Sequence, residues 1–249
     1  MSAAPVPIVR SPEEILGPLG EPEKLNAPAR LYLAGDLGLL WGAPRVAVVG
    51  SRKPSENGRK RAAWLTRYLV SEGVTAVSGL SLGIDTVVHE TALRELGCTI
   101  AVLGTPLEAY HPMANFELQR RIQERHLAVS QLPAGSPVQR ESFIRRSFTM
   151  ALLSDAAVIV QAGPESGSLQ VGWEMLRLGR PVFLPRTVVE TPGLEWPEAM
   201  LDRGARVIDD PASLLDAFLG PAAGRHDTRS SFTGYGEQDT FRLRRLKAG

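Results

Sequence analysis

A single cysteine in 249 residues leaves no internal disulfide to be made, which suits a reducing compartment. That residue, Cys98, heads the run Cys98-Thr99-Ile100-Ala101-Val102 and reads as a small buried side chain at a strand start. No run approaches the roughly 18 apolar residues of a membrane span. The N-terminus lacks a basic segment followed by an apolar one. A cytoplasmic location with no membrane contact is therefore expected. Strong charge of either sign is also missing: 28 basic residues face 27 acidic ones, for a net charge of +1. Any nucleic-acid contact must then be a local patch. There is no Ser–His–Asp set, no zinc-ligand cluster and no P-loop lysine motif, so neither metal nor cofactor is expected.

What is present is apolar and regularly spaced. A hydrophobic content of 43% is ample for a core. Residues 1–43 read as an N-terminal lead-in segment, with Met1 to Arg10 extended or loose. Ser11-Pro12-Glu13-Glu14 follows as a helix start, and Ala29 to Asp36 as a short strand and turn. From Arg45 the alternation is steady. Strands are predicted at 45–49, 74–78, 98–104, 127–132, 156–160, 181–185 and 205–208. Helices fall at 58–72, 83–96, 115–125, 142–153, from Ser168 to Leu178, and from Asp210 onward. Ala62, Leu65 and Leu69 share one face of the first of these. Strand–helix alternation with short links predicts an α/β fold: an extended Rossmann-like, doubly wound, mainly parallel sheet with helices on both faces, spanning 44–220. Residues 221–249 lose the apolar period and read as a disordered tail. Its basic end, Phe241 to Lys247, is either solvated or an auxiliary contact.

Ligands of such sheets sit at the carboxyl ends of the strands, and small residues gather there. Gly50-Ser51-Arg52-Lys53 closes the first strand, where free backbone N–H groups, a hydroxyl and an Arg fork would suit a phosphate; the plain alternative is an ordinary turn with a surface Arg. Ser78, Gly79 and Gly83 form a second small-residue turn that lets backbone approach a ligand. Asp85 and His89, four apart, share a helix face; orienting the glycine turn is favoured over a catalytic or metal pair. Phe143, Arg145 and Arg146 place a ring beside cations, the combination that single-stranded nucleic acid uses, although Phe143 equally suits a core. Ser166-Gly167-Ser168 reads as an anion-binding turn or as simple N-capping.

These motifs, with Tyr110-His111-Pro112 and the lead-in Ala29-Arg30-Leu31-Tyr32, occur in an order and at separations that resemble the DNA-processing protein A family, also called Smf, over roughly residues 25 to 220. The resemblance implies an extended Rossmann fold, single-stranded DNA as ligand, a homodimer, and a RecA-type recombinase as partner in DNA uptake and recombination. Arg52 and Arg146 would each neutralise a phosphate, with no catalytic residue. The chain departs from the family's usual pattern at Arg146-Ser147-Phe148 (for Arg-Asn-Arg), Gln161 (for Glu), Val171 (for Thr) and Pro185-Arg186 (for Pro-Gly), and its length leads to the expectation of a minimal member without the flanking helical domains. Two rival readings are a free-nucleotide sensor and a nucleoside-monophosphate phosphoribohydrolase of the Lonely guy type. The latter would use Glu174 downstream of Pro164 to Ser168.

Overall fold

The computed structural model describes residues 7–219. Its centre is one nine-stranded sheet in the order β1-β2-β6-β5-β4-β3-β7-β8-β9. The strands are β1 Ile8–Arg10, β2 Leu31–Gly35, β3 Arg45–Gly50, β4 Thr75–Ser78, β5 Thr99–Leu103, β6 Leu127–Ser130, β7 Ala156–Gln161, β8 Val182–Pro185 and β9 Arg206–Ile208. From β6 to β9 every neighbouring pair is parallel. The lead-in segment supplies β1 and β2, which extend this sheet antiparallel beyond β6.

The helices are α1 Pro12–Leu16, α2 Glu21–Lys24, α3 Glu56–Ser71, α4 Ile84–Arg94, α5 Phe116–Arg125, α6 Arg140–Leu153, α7 Leu169–Arg177, α8 Arg186–Val189, α9 Trp196–Leu201 and α10 Pro211–Leu219. Local chemistry explains the longer ones. Ser55 caps α3 by accepting from the Gly58 N–H, and the predicted stripe Ala62, Leu65 and Leu69 is buried. Ser11 and Glu14 form a capping box on α1. α6 begins at Arg140 rather than 142, which brings the cation of that residue into the helix.

Successive strand residues alternate between two cores. Ala47, Val49, Ile100, Val102 and Ile159 meet α6 and α7 on one face. Val46, Val48, Ala76 and Val158 meet α3, α4 and α10 on the other. Because both faces are covered, the strands read as unbroken apolar runs. Cys98 is exposed, contrary to the sequence expectation, because it precedes the first residue of β5 and lies outside the buried run. The basic tail lies outside the described residues.

Candidate nucleic-acid interface

Strand order reverses between β3 and β7. The chain leaves β3 for α3 on one face and leaves β7 for α7 on the other, which opens a crevice at their carboxyl ends. Gly50-Ser51-Arg52 stands on its rim. The free backbone donors expected there are largely engaged: the Ser51 N–H donates to the Gln161 carbonyl at 2.7 Å, and the Lys53 N–H donates to the Ser51 hydroxyl at 3.0 Å. At the start of α3 the Ser55 N–H donates to the Gln161 side-chain carbonyl at 3.0 Å. Gln161, noted from the sequence only as a departure, thus closes this turn from β7. The side chains of Arg52 and Lys53 remain exposed on it.

The second turn is built against the first. Ser78 is fully buried and donates its hydroxyl to the Val48 carbonyl at 2.8 Å, so it ties β4 to β3 instead of facing a ligand. Gly83 has φ +85°, and a Cβ on it would lie 2.4 Å from the Ser51 carbonyl oxygen; only glycine allows the two loops to touch. Gly79 is wedged between charges, since a Cβ there would lie 2.6 Å from Arg146 Nη1 and 2.9 Å from Asp85 Oδ2. Leu80 between them adopts φ 60°, a left-handed conformation that surrounding contacts must hold. Asn115 does part of that work, donating its amide to the Leu80 carbonyl and to Thr86 Oγ1, each at 2.9 Å. No local pattern signals this, because an Asn at a helix start reads as a cap, and here its side chain caps nothing.

Asp85 is buried and accepts from the Ser81 N–H at 3.2 Å, which orients the turn. Burial holds its carboxyl above the usual carboxylate range, while Arg146 and the Ser81 N–H pull it back. His89 acts elsewhere: its Nδ1 lies 2.8 Å from Thr99 Oγ1, which in turn donates to the Ala76 carbonyl, so the ring braces β5 and β4. Burial lowers its pKa to about 3, and the ring is neutral. Among the described residues no group of three His, Cys, Asp or Glu side chains is placed to hold a metal.

Arg146 reaches into this turn from α6. It is 8% exposed and donates through Nη1 to the Gly79 carbonyl at 2.8 Å and to Ser81 Oγ at 3.0 Å. Its Nε is buried without a partner. Burial lowers its pKa; Asp85 opposes this, and the nearby Arg52 charge adds to it. Two guanidinium groups therefore converge on one crevice. Phe143 is half-buried, covering Gly104, with its ring 5.6 Å from that of His111 and 5.9 Å from the Arg146 guanidinium carbon. It is neither a deep core residue nor a free platform. Arg145 is exposed one residue away.

Ser166, Gly167 and Ser168 lie beyond β7, before α7. The two hydroxyls bond each other at 2.8 Å and neither caps the helix, which removes the simple N-cap reading. Glu174 is buried on α7 in an ion pair with Arg177 at 2.6 Å and accepts from Asn26 at 3.0 Å. Those partners, one of them from the lead-in segment, hold the carboxylate that the phosphoribohydrolase reading names.

Residues 21–219 match the family described as DNA recombination-mediator protein A. Protein Smf of Escherichia coli is 35% identical over 190 residues, which cover 76% of this chain and 50% of that protein, so the chain spans about half the length of this relative. The crystal structure of DNA processing protein A from Streptococcus pneumoniae is similar with a TM-score of 0.73 at 31% identity, covering 85% of this chain and 74% of that one. A structure of DNA processing protein A from Helicobacter pylori, concerned with its single-stranded DNA binding mode, gives a TM-score of 0.70 at 25% identity over 85% of this chain and 95% of that one.

Proposed function

The chain belongs to the DNA recombination-mediator protein A family, and we propose that it binds single-stranded DNA along the carboxyl edge of its sheet, gripping phosphates without chemistry. The observation that carries this is the meeting of Arg52 and Arg146 at the turn between β4 and α4, where Arg146 bonds Gly79 and Ser81 and the Arg52 backbone packs on Gly83. Two guanidinium groups face one buried carboxylate, Asp85, and the buried Arg146 Nε has no partner, so the site keeps room for a further anion. Arg52 and Lys53 on one side and Arg145 on the other extend the cationic rim. Phe143 offers a ring edge beside it for a base. Exposed cations that grip phosphate carry no sequence information, so this rim favours binding with little sequence selection. The relative from Helicobacter pylori, studied for its single-stranded DNA binding, supports the ligand class.

Fluorescence anisotropy of a labelled single-stranded oligonucleotide over a salt series tests this. The log–log slope should be roughly 0.7 per phosphate neutralised, and duplex DNA and free nucleotides should compete poorly. Binding that ignores both salt and the R52A/R146A double variant would overturn the reading. We extend it to two partners on the strength of family membership, a second copy of this chain and a RecA-type recombinase. Light scattering tests the first, and capture of purified recombinase on DNA-bound protein tests the second.

A further inference from the structure

At the opposite edge of the sheet, α4 and α5 end side by side beneath the starts of β5 and β6. Between their ends lies a cleft of about 270 Å³ lined by Leu93, Leu96, Arg121, Arg125 and His126. Three observations there lack an explanation in the fold.

The first is Leu96. The Leu96 N–H donates to the Leu93 carbonyl at 3.3 Å and the Gly97 N–H to the Ala92 carbonyl at 2.8 Å, a Schellman ending for α4. Leu96 fills the left-handed position of that motif at φ 57°, where glycine is favoured, and its side chain is 94% exposed. A strained backbone and a fully solvated leucine are two unfavourable features at one residue, with no packing to offset them. The second is charge. Arg121 and Arg125 are exposed and make no ion pair among the described residues. Nearby acids are already engaged, Glu95 by Arg67 and Arg94, and Glu117 and Glu124 by Arg120. The third is His126. Burial lowers its pKa, and the Arg121 and Arg125 charges push the same way against the single opposing carboxylate of Asp36, so two cations face one acid around the ring.

From these we infer that the cleft is a docking site for an acidic peptide segment of a partner protein, with an apolar side chain of that segment lying on Leu93 and Leu96 and its carboxylates on Arg121 and Arg125. Charge complementarity selects the occupant. A nucleic acid would find the cations and the His126 ring but has no apolar side chain to cover the exposed Leu96. The chain's own tail ends in Arg242, Arg244, Arg245 and Lys247 and would be repelled. The cleft and the DNA crevice lie at opposite ends of the strands, so the partner segment and DNA bind together.

The test uses the full chain and a fluorescein-labelled ten-residue peptide alternating Glu and Leu, with a Lys–Leu peptide as control. The acidic peptide binds at low salt, the basic one does not, and excess single-stranded oligonucleotide does not displace it. Reversing both charges in R121E/R125E weakens peptide binding about tenfold, the sum of two modest surface pairings. L96G separates docking from structure: relief of the left-handed strain raises Tm by about 2–4 °C while peptide affinity falls. The inference is overturned if the acidic peptide does not bind, if oligonucleotide displaces it, if its affinity survives both variants, or if L96G lowers Tm.

Discussion

An arginine of low exposure stands at each end of the central strands, Arg45 on β3 and Arg146 reaching from α6 to the turn after β4, and the two are finished differently. At the amino end Arg45 is fully buried, paired with Asp155 at 3.1 Å and donating to the Leu40 carbonyl at 3.0 Å. Asp155 also accepts from the Arg45 N–H, so side chain and backbone are locked by one carboxylate. At the carboxyl end Arg146 has a carbonyl and a hydroxyl for Nη1 and an unpartnered Nε; the Asp85 carboxylate stands nearby without an ion pair to it, and a second cation, Arg52, is also a neighbour. A buried charge closed by its own chain belongs to the fold. A buried charge left incomplete and crowded by a like charge marks the place where something else is meant to bind.

That contrast can be broken by substitution. The largest effect is expected from R45A, which strands Asp155 and empties a buried site. Stability should fall by about 3–5 kcal/mol in urea titrations, with DNA affinity of the folded fraction unchanged. Next comes His89, buried on α4 and held through Nδ1 by Thr99. Its folded pKa, about 3, lies below the unfolded value of 6.5. Protons therefore favour the unfolded chain, and stability is full above pH 6.5 and declines as the pH falls toward 3. By pH 4.5 this amounts to about 2–3 kcal/mol. H89Q should flatten that decline by a similar amount, measured against wild type at pH 7.5 and 4.5. R146A is expected to act on both properties, lowering stability by about 1–3 kcal/mol through the lost braces on Gly79 and Ser81, and also lowering DNA affinity. R52A, at an exposed position, should change stability by less than about 0.5 kcal/mol. It should still lower single-strand affinity and reduce the salt slope by about 0.7. If R52A left DNA binding untouched while R146A abolished it, the crevice would be a structural joint and the contrast between the two ends would fail.

Strand and helix positions were legible from the chain because both are set by local spacing. Runs such as Arg45 to Val49 can be accommodated only where both sheet faces are covered, and the stripe Ala62, Leu65, Leu69 needs only one core-facing side. The glycines of the two turns were legible as well, since no other residue permits such close backbone approach. The assignment of donors within those turns was not. Ser51, Ser78 and the Ser166–Ser168 pair look like anion ligands in sequence. The Ser51 N–H and the Ser78 hydroxyl donate to Gln161 and Val48, partners distant along the chain, which no local pattern could show. Asn115 and Leu96 were missed for related reasons: one serves a turn thirty-five residues away and the other a cleft between two helices.

The sequence by itself determined the order of elements, the two-sided burial of the strands and the places where glycine must stand, because each follows from side-chain volume and period along a short stretch of backbone. Only the tertiary structure decided which cations are closed and which are left open. A guanidinium is neutralised by whatever the fold brings within a few ångströms, and Arg45 and Arg146 carry the same side chain to opposite ends of the sheet.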